Sequence, residues 1–197
     1  MKTLPRSLEP LVAAVERGLR PKYLYFWGHQ RRADGAVREE CLSQWYTAPF
    51  EMGGVRYPTA EHFMMAEKAR LFGDEDALRR VLETPHPGAA KRIGREVLGF
   101  DQAVWEANRY QIVVRGNRAK FGQHEPLGDY LAGTRHRVLV EASPRDRVWG
   151  IGLTAEDARA ARPDAWRGLN LLGFALMDVR DAERTAPRPA ADQSGRE

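Results

Sequence analysis

The stretch Tyr57-Pro58-Thr59-Ala60-Glu61-His62-Phe63-Met64-Met65-Ala66-Glu67-Lys68-Ala69 decides the fold. Pro58-Thr59 ends an extended segment, Thr59 is a residue type that caps helix N-termini, and the spacing predicts a helix from Ala60 to about Phe72 closed by Gly73. On such a helix Glu61 and Lys68 lie seven residues apart, nearly two turns, with Met64 and Met65 between them on the same face. A carboxylate and an ammonium therefore share an apolar stripe. The ordinary structural reading makes Glu61 a first-turn acid favoured by the helix dipole and Lys68 a stem lying over the core. His62 occupies the position where a capping box needs Glu or Gln.

Toward the N-terminus, Phe50 to Tyr57 reads as a hairpin about Gly53-Gly54, preceded by Leu42 to Tyr46. The charged run Arg31 to Glu40 contains the turn signal Asp34-Gly35 and reads as a mobile loop. Tyr23 to Trp27 is rich in β-formers and reads as a strand, and Leu8, Leu11, Val12, Val15 and Leu19 mark one face of an earlier helix. Toward the C-terminus, helices are expected over Asp76 to Leu82, Ala89 to Leu98, from the cap Asp101 to Phe121-Gly122, and after Glu125. Val138 to Val140 is a β-branched run, and Leu169, Leu172, Leu176 and Val179 define a closing helix. The expected fold is mainly α with a small antiparallel β-sheet, on the border of α+β.

The chain has 197 residues and is 43% hydrophobic, enough for one substantial core. One cysteine, Cys41, excludes an intramolecular disulfide and points to a reducing compartment. No apolar run approaches the ~20 residues that cross a bilayer, and residues 1–10 lack a secretory core, so a cytoplasmic location and no membrane partner are expected. The net charge of +4 is modest, and the arginines are dispersed. That argues against a basic nucleic-acid arm and permits a local anion pocket.

Two further clusters could carry chemistry. In Glu141-Ala142-Ser143-Pro144-Arg145-Asp146-Arg147-Val148-Trp149-Gly150-Ile151-Gly152, Asp146 follows a strand end, Trp149 offers an aromatic face, and the glycines admit close approach of backbone amides. A plain turn with Trp149 in the core is the competing reading. In Trp166-Arg167-Gly168-Leu169-Asn170-Leu171-Leu172-Gly173, Asn170 is either a helix cap or an amide pointing into a site. Lys120, at the end of the long helix, is either a dipole partner or an anion contact. The five histidines have no metal-ligand spacing, and neither a nucleophile elbow nor a phosphate loop is present. No metal and no cofactor are expected.

The order of these motifs resembles the NADAR family of YbiA-like N-glycosidases. The resemblance is carried by Tyr57-Pro58-Thr59-Ala60-Glu61-His62-Phe63, Lys68-Ala69, Lys91-Arg92-Ile93-Gly94-Arg95, Trp105, Lys120-Phe121, Leu139-Val140-Glu141, Asp146, Trp149-Gly150 and Asn170-Leu171-Leu172-Gly173, and it runs from about Leu24 to Arg180. One departure is Leu42-Ser43-Gln44-Trp45, where the family pattern favours Ser-Asn and an aromatic. The resemblance implies a single compact YbiA-like domain over residues 23–184; the periodicity of Leu8 to Leu19 adds a helical extension over 1–22, and the polar, Pro/Ala-rich composition of 185–197 reads as a disordered tail.

The resemblance further implies hydrolysis of a C1′–N bond, in ribosylamino-pyrimidine intermediates of riboflavin synthesis or in ADP-ribosylated guanine. Its partners would be a phosphorylated ribosyl or ADP-ribosyl substrate, including ADP-ribosylated nucleic acid; oligomeric state is left open. Cleavage develops positive charge at C1′ and negative charge on the departing base, so a carboxylate and a donor are needed. Glu61 or Asp146 is expected beside the sugar, and Lys68 either attacks C1′ or holds phosphate. Trp149 would stack on the base, Arg95, Arg145 or Lys120 would hold phosphate, and Ser43, Gln44, Trp45, Glu141, Gly150 and Asn170 complete the expected substrate contacts. A non-catalytic nucleotide sensor and a partner-binding helical module are the alternatives.

Overall fold

The computed structural model describes residues 4–185, side chains 183–185 excepted. Its seven α-helices are α1 (Leu8–Glu16), α2 (Ala60–Leu71), α3 (Glu75–Glu83), α4 (Pro87–Arg95), α5 (Gln102–Gly122), α6 (Glu125–Gly133) and α7 (Leu171–Thr185). Four short strands join them: β1 (Tyr23–Phe26), β2 (Phe50–Met52), β3 (Val55–Tyr57) and β4 (Val138–Glu141).

The organising helix is α2. Thr59 caps it by accepting from the His62 backbone N–H at 3.4 Å, and the expected bounds hold to within a residue. His62 is fully buried; its ring bonds the Thr59 hydroxyl at 2.8 Å and the Thr84 carbonyl at 3.0 Å. These bonds pin the start of α2 to the turn before α4. Every residue from Ala60 to Ala66 is buried, so the helix is enclosed rather than amphipathic over its first two turns. Its neighbours come close because two of them offer glycine: a Cβ at Gly94 on α4 would overlap Met65, and one at Gly116 on α5 would overlap the Phe63 ring.

The expected hairpin is present, with Phe50 opposite Tyr57 and Met52 opposite Val55. Gly53 and Gly54 both take positive φ, 59° and 75°, as a two-residue turn between twisted strands requires. The mainly helical architecture with small sheets is as expected, but the sheet is divided. β1 and β4 pair in parallel, Tyr23 with Val138 through Phe26 with Glu141. The physical reason is visible in β4: Val138, Leu139 and Val140 are all buried, the continuous apolar run of a strand covered on both faces.

Smaller differences are local. Glu39–Leu42 forms a 3-10 turn, and 43–46 continues as loop. α4 starts at Pro87 and stops at Arg95, leaving Leu98 exposed. α7 begins at Leu171, so Leu169 lies outside it. α7 reaches Thr185, and the rest of the expected tail, 186–197, lies outside the described residues. Among the described residues, no helix is long and apolar enough to cross a membrane.

Candidate active site

The parallel ladder places the site. The chain leaves β1 at Phe26 and β4 at Glu141 on the same end, and a cavity of about 580 Å³ opens there. Crevices outside the carboxyl ends of parallel strands are where such sheets hold ligands. Trp27 and His29 come from the segment after β1, Glu141, Ser143, Arg145 and Asp146 from β4 and its loop, Lys91 and Arg95 from α4, and Ser43 and Trp45 from the loop before the hairpin. Lys91 and Arg95 are four residues apart and therefore share a face of α4.

Three carboxyl groups converge on this end. Asp146 Oδ1 accepts from the backbone N–H groups of Val148 and Trp149 at 2.9 and 2.7 Å, which fixes the carboxylate and turns Oδ2 toward Lys91 Nζ at 3.7 Å. Glu141 lines the cavity, yet its Oε2 is buried without a partner. Burial pushes its carboxyl up to about 8, and the negative charges of Asp146 and Glu61 add to the effect against the opposing pull of Lys91. Glu61 lies behind the cavity, 2% exposed, with Oε1 also unpartnered. Burial raises it to about 7; Asp146 adds to the rise, while Lys91, a hydrogen bond from the Trp45 side chain, and Arg95 oppose it. At neutral pH the group therefore holds at least one proton among carboxyls that ordinarily have none.

Several expected contacts sit in supporting positions instead. Lys120 is fully buried and does not reach the cavity: its ammonium donates to the Cys41 and Ser43 carbonyls at 2.6 and 2.8 Å, and burial lowers it to about 8. It holds the loop whose Trp45 grips Glu61, and the Glu61 backbone N–H donates to the Gln44 carbonyl at 3.0 Å. Gln44 points inward, its amide oxygen accepting from Asn117 at 2.8 Å.

Asn170 stands at the cap position of α7, its carbonyl accepting from the Phe174 N–H at 3.2 Å, and does not line the cavity. At φ 54° its amide accepts from the Glu141 N–H at 3.0 Å and donates to the Leu139 carbonyl at 2.9 Å, clipping the start of α7 to β4. Gly150 is tight packing, since a Cβ there would meet the Glu141 carbonyl at 2.8 Å. Trp149 is half-buried against the core and is not part of the cavity wall.

Lys68 also lies elsewhere. Its ammonium donates to the Gly94 carbonyl in the last turn of α4 at 2.7 Å, sits 4.1 Å from the Phe100 ring centre, and does not line the cavity. Lys91 is the lysine on the cavity wall. Sequence reasoning had Lys91 only as part of a motif and did not single out Trp27, His29 or Ser143; the i, i+4 spacing of Lys91 and Arg95 was the available signal.

Buried carboxyl groups with raised proton affinity beside one cavity are the equipment of a hydrolase that cleaves glycosidic bonds. The comparisons narrow this class. The NADAR domain model matches residues 25–183. An N-glycosidase of Acanthamoeba polyphaga mimivirus is 38% identical over 165 residues, 81% of this chain and 95% of the viral protein. N-glycosidase YbiA of Escherichia coli is 32% identical over 133 residues, covering 68% of this chain and 74% of its own, and the NMR structure of the E. coli protein YbiA superposes with a TM-score of 0.67 at 26% identity over 87% of this chain and 92% of that one. A chloroplastic riboflavin biosynthesis protein of Zea mays is 33% identical over 71% of this chain but only 22% of its own length. The chain belongs to the NADAR family, and it is a hydrolase of the N-glycosidase type.

Proposed function

We propose that the protein hydrolyses the C1′–N bond of a phosphorylated ribosyl compound at this cavity. The observation that carries the reading is the pair of buried carboxyls, Glu61 and Glu141, each with an unpartnered oxygen, beside the Lys91–Asp146 ion pair. Glu141, protonated near neutral pH, donates its proton to the departing base nitrogen as the C1′–N bond breaks. The Asp146 carboxylate, fixed by two backbone donors, faces the cationic sugar and accepts a proton from the water that adds to C1′. Arg95 and Arg145 supply positive charge for a sugar phosphate. Ribosylamino-pyrimidine phosphates and ADP-ribosylated guanine share this scissile unit; relatives named N-glycosidases support the bond type, and a separate relative named a riboflavin biosynthesis protein favours the first.

A covalent route has one observation in its favour: Lys91 stands on the cavity wall next to the carboxyls. After its ammonium passes a proton to Asp146, the Lys91 amine would attack C1′ as the base leaves with the proton of Glu141, giving a Schiff base after ring opening that water then hydrolyses. The test is product release from both substrates side by side, with borohydride added during turnover. The wild type releases ribose phosphate or ADP-ribose, and Glu141→Gln and Asp146→Asn lower kcat by about 100-fold or more while still binding ribose 5-phosphate. Absence of product from both substrates sinks the reading. A borohydride adduct that survives Lys68→Met and is lost in Lys91→Met selects the covalent route; no adduct selects direct attack of water.

A further inference from the structure

Of the two buried glutamates only Glu141 lines the cavity; Glu61 lies behind it. Both feel Lys91 and Asp146, and each keeps one oxygen without a partner. A proton held between them serves a departing base only when it is on Glu141, the one that a substrate can touch. Two side chains tell the glutamates apart. Trp45 donates a hydrogen bond to Glu61, and the Arg95 guanidinium adds its charge, so both favour the ionised form of Glu61. The ionised Glu61 in turn raises the proton affinity of Glu141, whose Oε2 has no donor. Burial lifts both groups, Glu141 to about 8 and Glu61 to about 7, and that order agrees with the division. Once a sugar phosphate sits on Arg95, as in the proposed reaction, Trp45 alone discriminates.

The indole is firmly lodged. Its ring stands edge to face between His29 and His86, with centroids 5.4 and 6.3 Å away, and a Cβ at Gly88 would meet it at 3.2 Å. The Trp45 N–H donates to Ser43 Oγ at 3.2 Å, and the Gln44 carbonyl beside it accepts from the Glu61 N–H at 3.0 Å, so donor and acceptor are tied through the backbone one residue away. Tryptophan carries one side-chain donor, the indole N–H, where a phenylalanine has none. The titratable and charged groups around the pair are His29 and His86 against the indole, and Lys91, Arg95, Glu141 and Asp146 around Glu61. We propose that Trp45 is a positioning residue: by donating its indole N–H to Glu61 it leaves the proton shared by the two buried glutamates on Glu141, the side that faces the cavity. The inference rests on reading Glu141 as the donor to the departing base.

Carbon-13 NMR of the full-length protein with labelled glutamate, assigned through Glu61→Gln and Glu141→Gln, reads the two carboxyls separately between about pH 5 and 9. In the wild type Glu61 ionises first and Glu141 keeps its proton to higher pH. Trp45→Phe keeps an aromatic ring and removes the donor. In that variant Glu61 ionises later by about one pH unit, the worth of a hydrogen bond to a charged group, and Glu141 earlier, so the gap closes or reverses. The alkaline limb of kcat then moves to lower pH, a change that a merely structural residue would not produce, while affinity for ribose 5-phosphate stays within about threefold. An unchanged gap in Trp45→Phe overturns the assignment, as does a wild type in which Glu141 ionises first. Weakened ribose 5-phosphate binding with an unchanged gap overturns it in favour of a plain substrate contact. Because the NMR order needs no turnover, a Trp45-dependent order without product release sinks only the glycosidase reading, and product release with an order that ignores Trp45 sinks only this inference.

Discussion

The two ends of α2 carry the same kinds of side chain in opposite circumstances. At the C-terminal end Glu67 accepts from Arg70 and Arg115, both at 2.7 Å, and Lys68 donates to the Gly94 carbonyl over the Phe100 ring. Every charge there has a partner. At the N-terminal end Glu61 is more deeply buried, keeps one oxygen without a partner, and is surrounded by Lys91, Asp146 and Arg95 that are only partly matched to it. A buried polar atom left unpaired costs about 1–3 kcal/mol, so a fold that keeps one next to a cavity is spending stability on chemistry. The lesson is that charge on a helix stripe says little until its partners are known.

The comparison breaks first at Glu61. Glu61→Gln removes the negative charge that helps keep Glu141 protonated and should lower kcat by about tenfold or more without lowering the melting temperature. The same variant tests the pH dependence. A folded carboxyl raised from 4.5 to about 7 contributes stability that is fully present below pH 4.5 and lost as pH rises through 7. Urea unfolding between pH 4.5 and 7.5 should show that slope in the wild type and a shallower one in the variant; a wild-type activity equal to that of Glu61→Gln would end the assignment.

Lys120 sharpens it next. Lys120→Met leaves the Cys41 and Ser43 carbonyls without a donor, at about 1–3 kcal/mol for each, and loosens the loop that places Trp45 on Glu61. Stability by urea unfolding should fall, and the acidic limb of the kcat profile should move, whereas a purely structural lysine would leave that limb in place. The smallest effect belongs to Lys68. Lys68→Met should cost about 1 kcal/mol and leave kcat within about threefold; a loss as large as that of Glu61→Gln would put the chemistry at the wrong end of α2.

Much of the fold was legible because it is local. Thr59, Asp101, Gly53-Gly54 and Gly73 are caps and turns whose partners lie within a few residues. The parallel pairing of β1 with β4 was not, since nothing in either strand names a partner so far along the chain. The site divided in the same way. Glu61, Glu141, Asp146 and Arg95 stood out as types, but helical periodicity put Lys68 on the stripe of Glu61, and only the packing of α2 against α4 shows that Lys91 is the lysine beside it. Lys120 reads in sequence as a dipole partner or anion contact and Asn170 as a cap or site amide, because their inward carbonyl partners, on Cys41, Ser43 and Leu139, are remote in sequence.

The parallel ladder also sets an order of events during synthesis. Lys91 and Glu61 leave the ribosome long before Glu141 and Asp146, and β1 has no strand to pair with until β4 emerges. The cavity is thus completed by the last third of the chain, and closure of so long a loop is slow compared with the formation of α2 or the hairpin. A nascent chain stopped after α5 carries buried-type carboxyl and lysine side chains but no active centre, so premature termination should yield protein with no residual hydrolysis rather than a weakened enzyme.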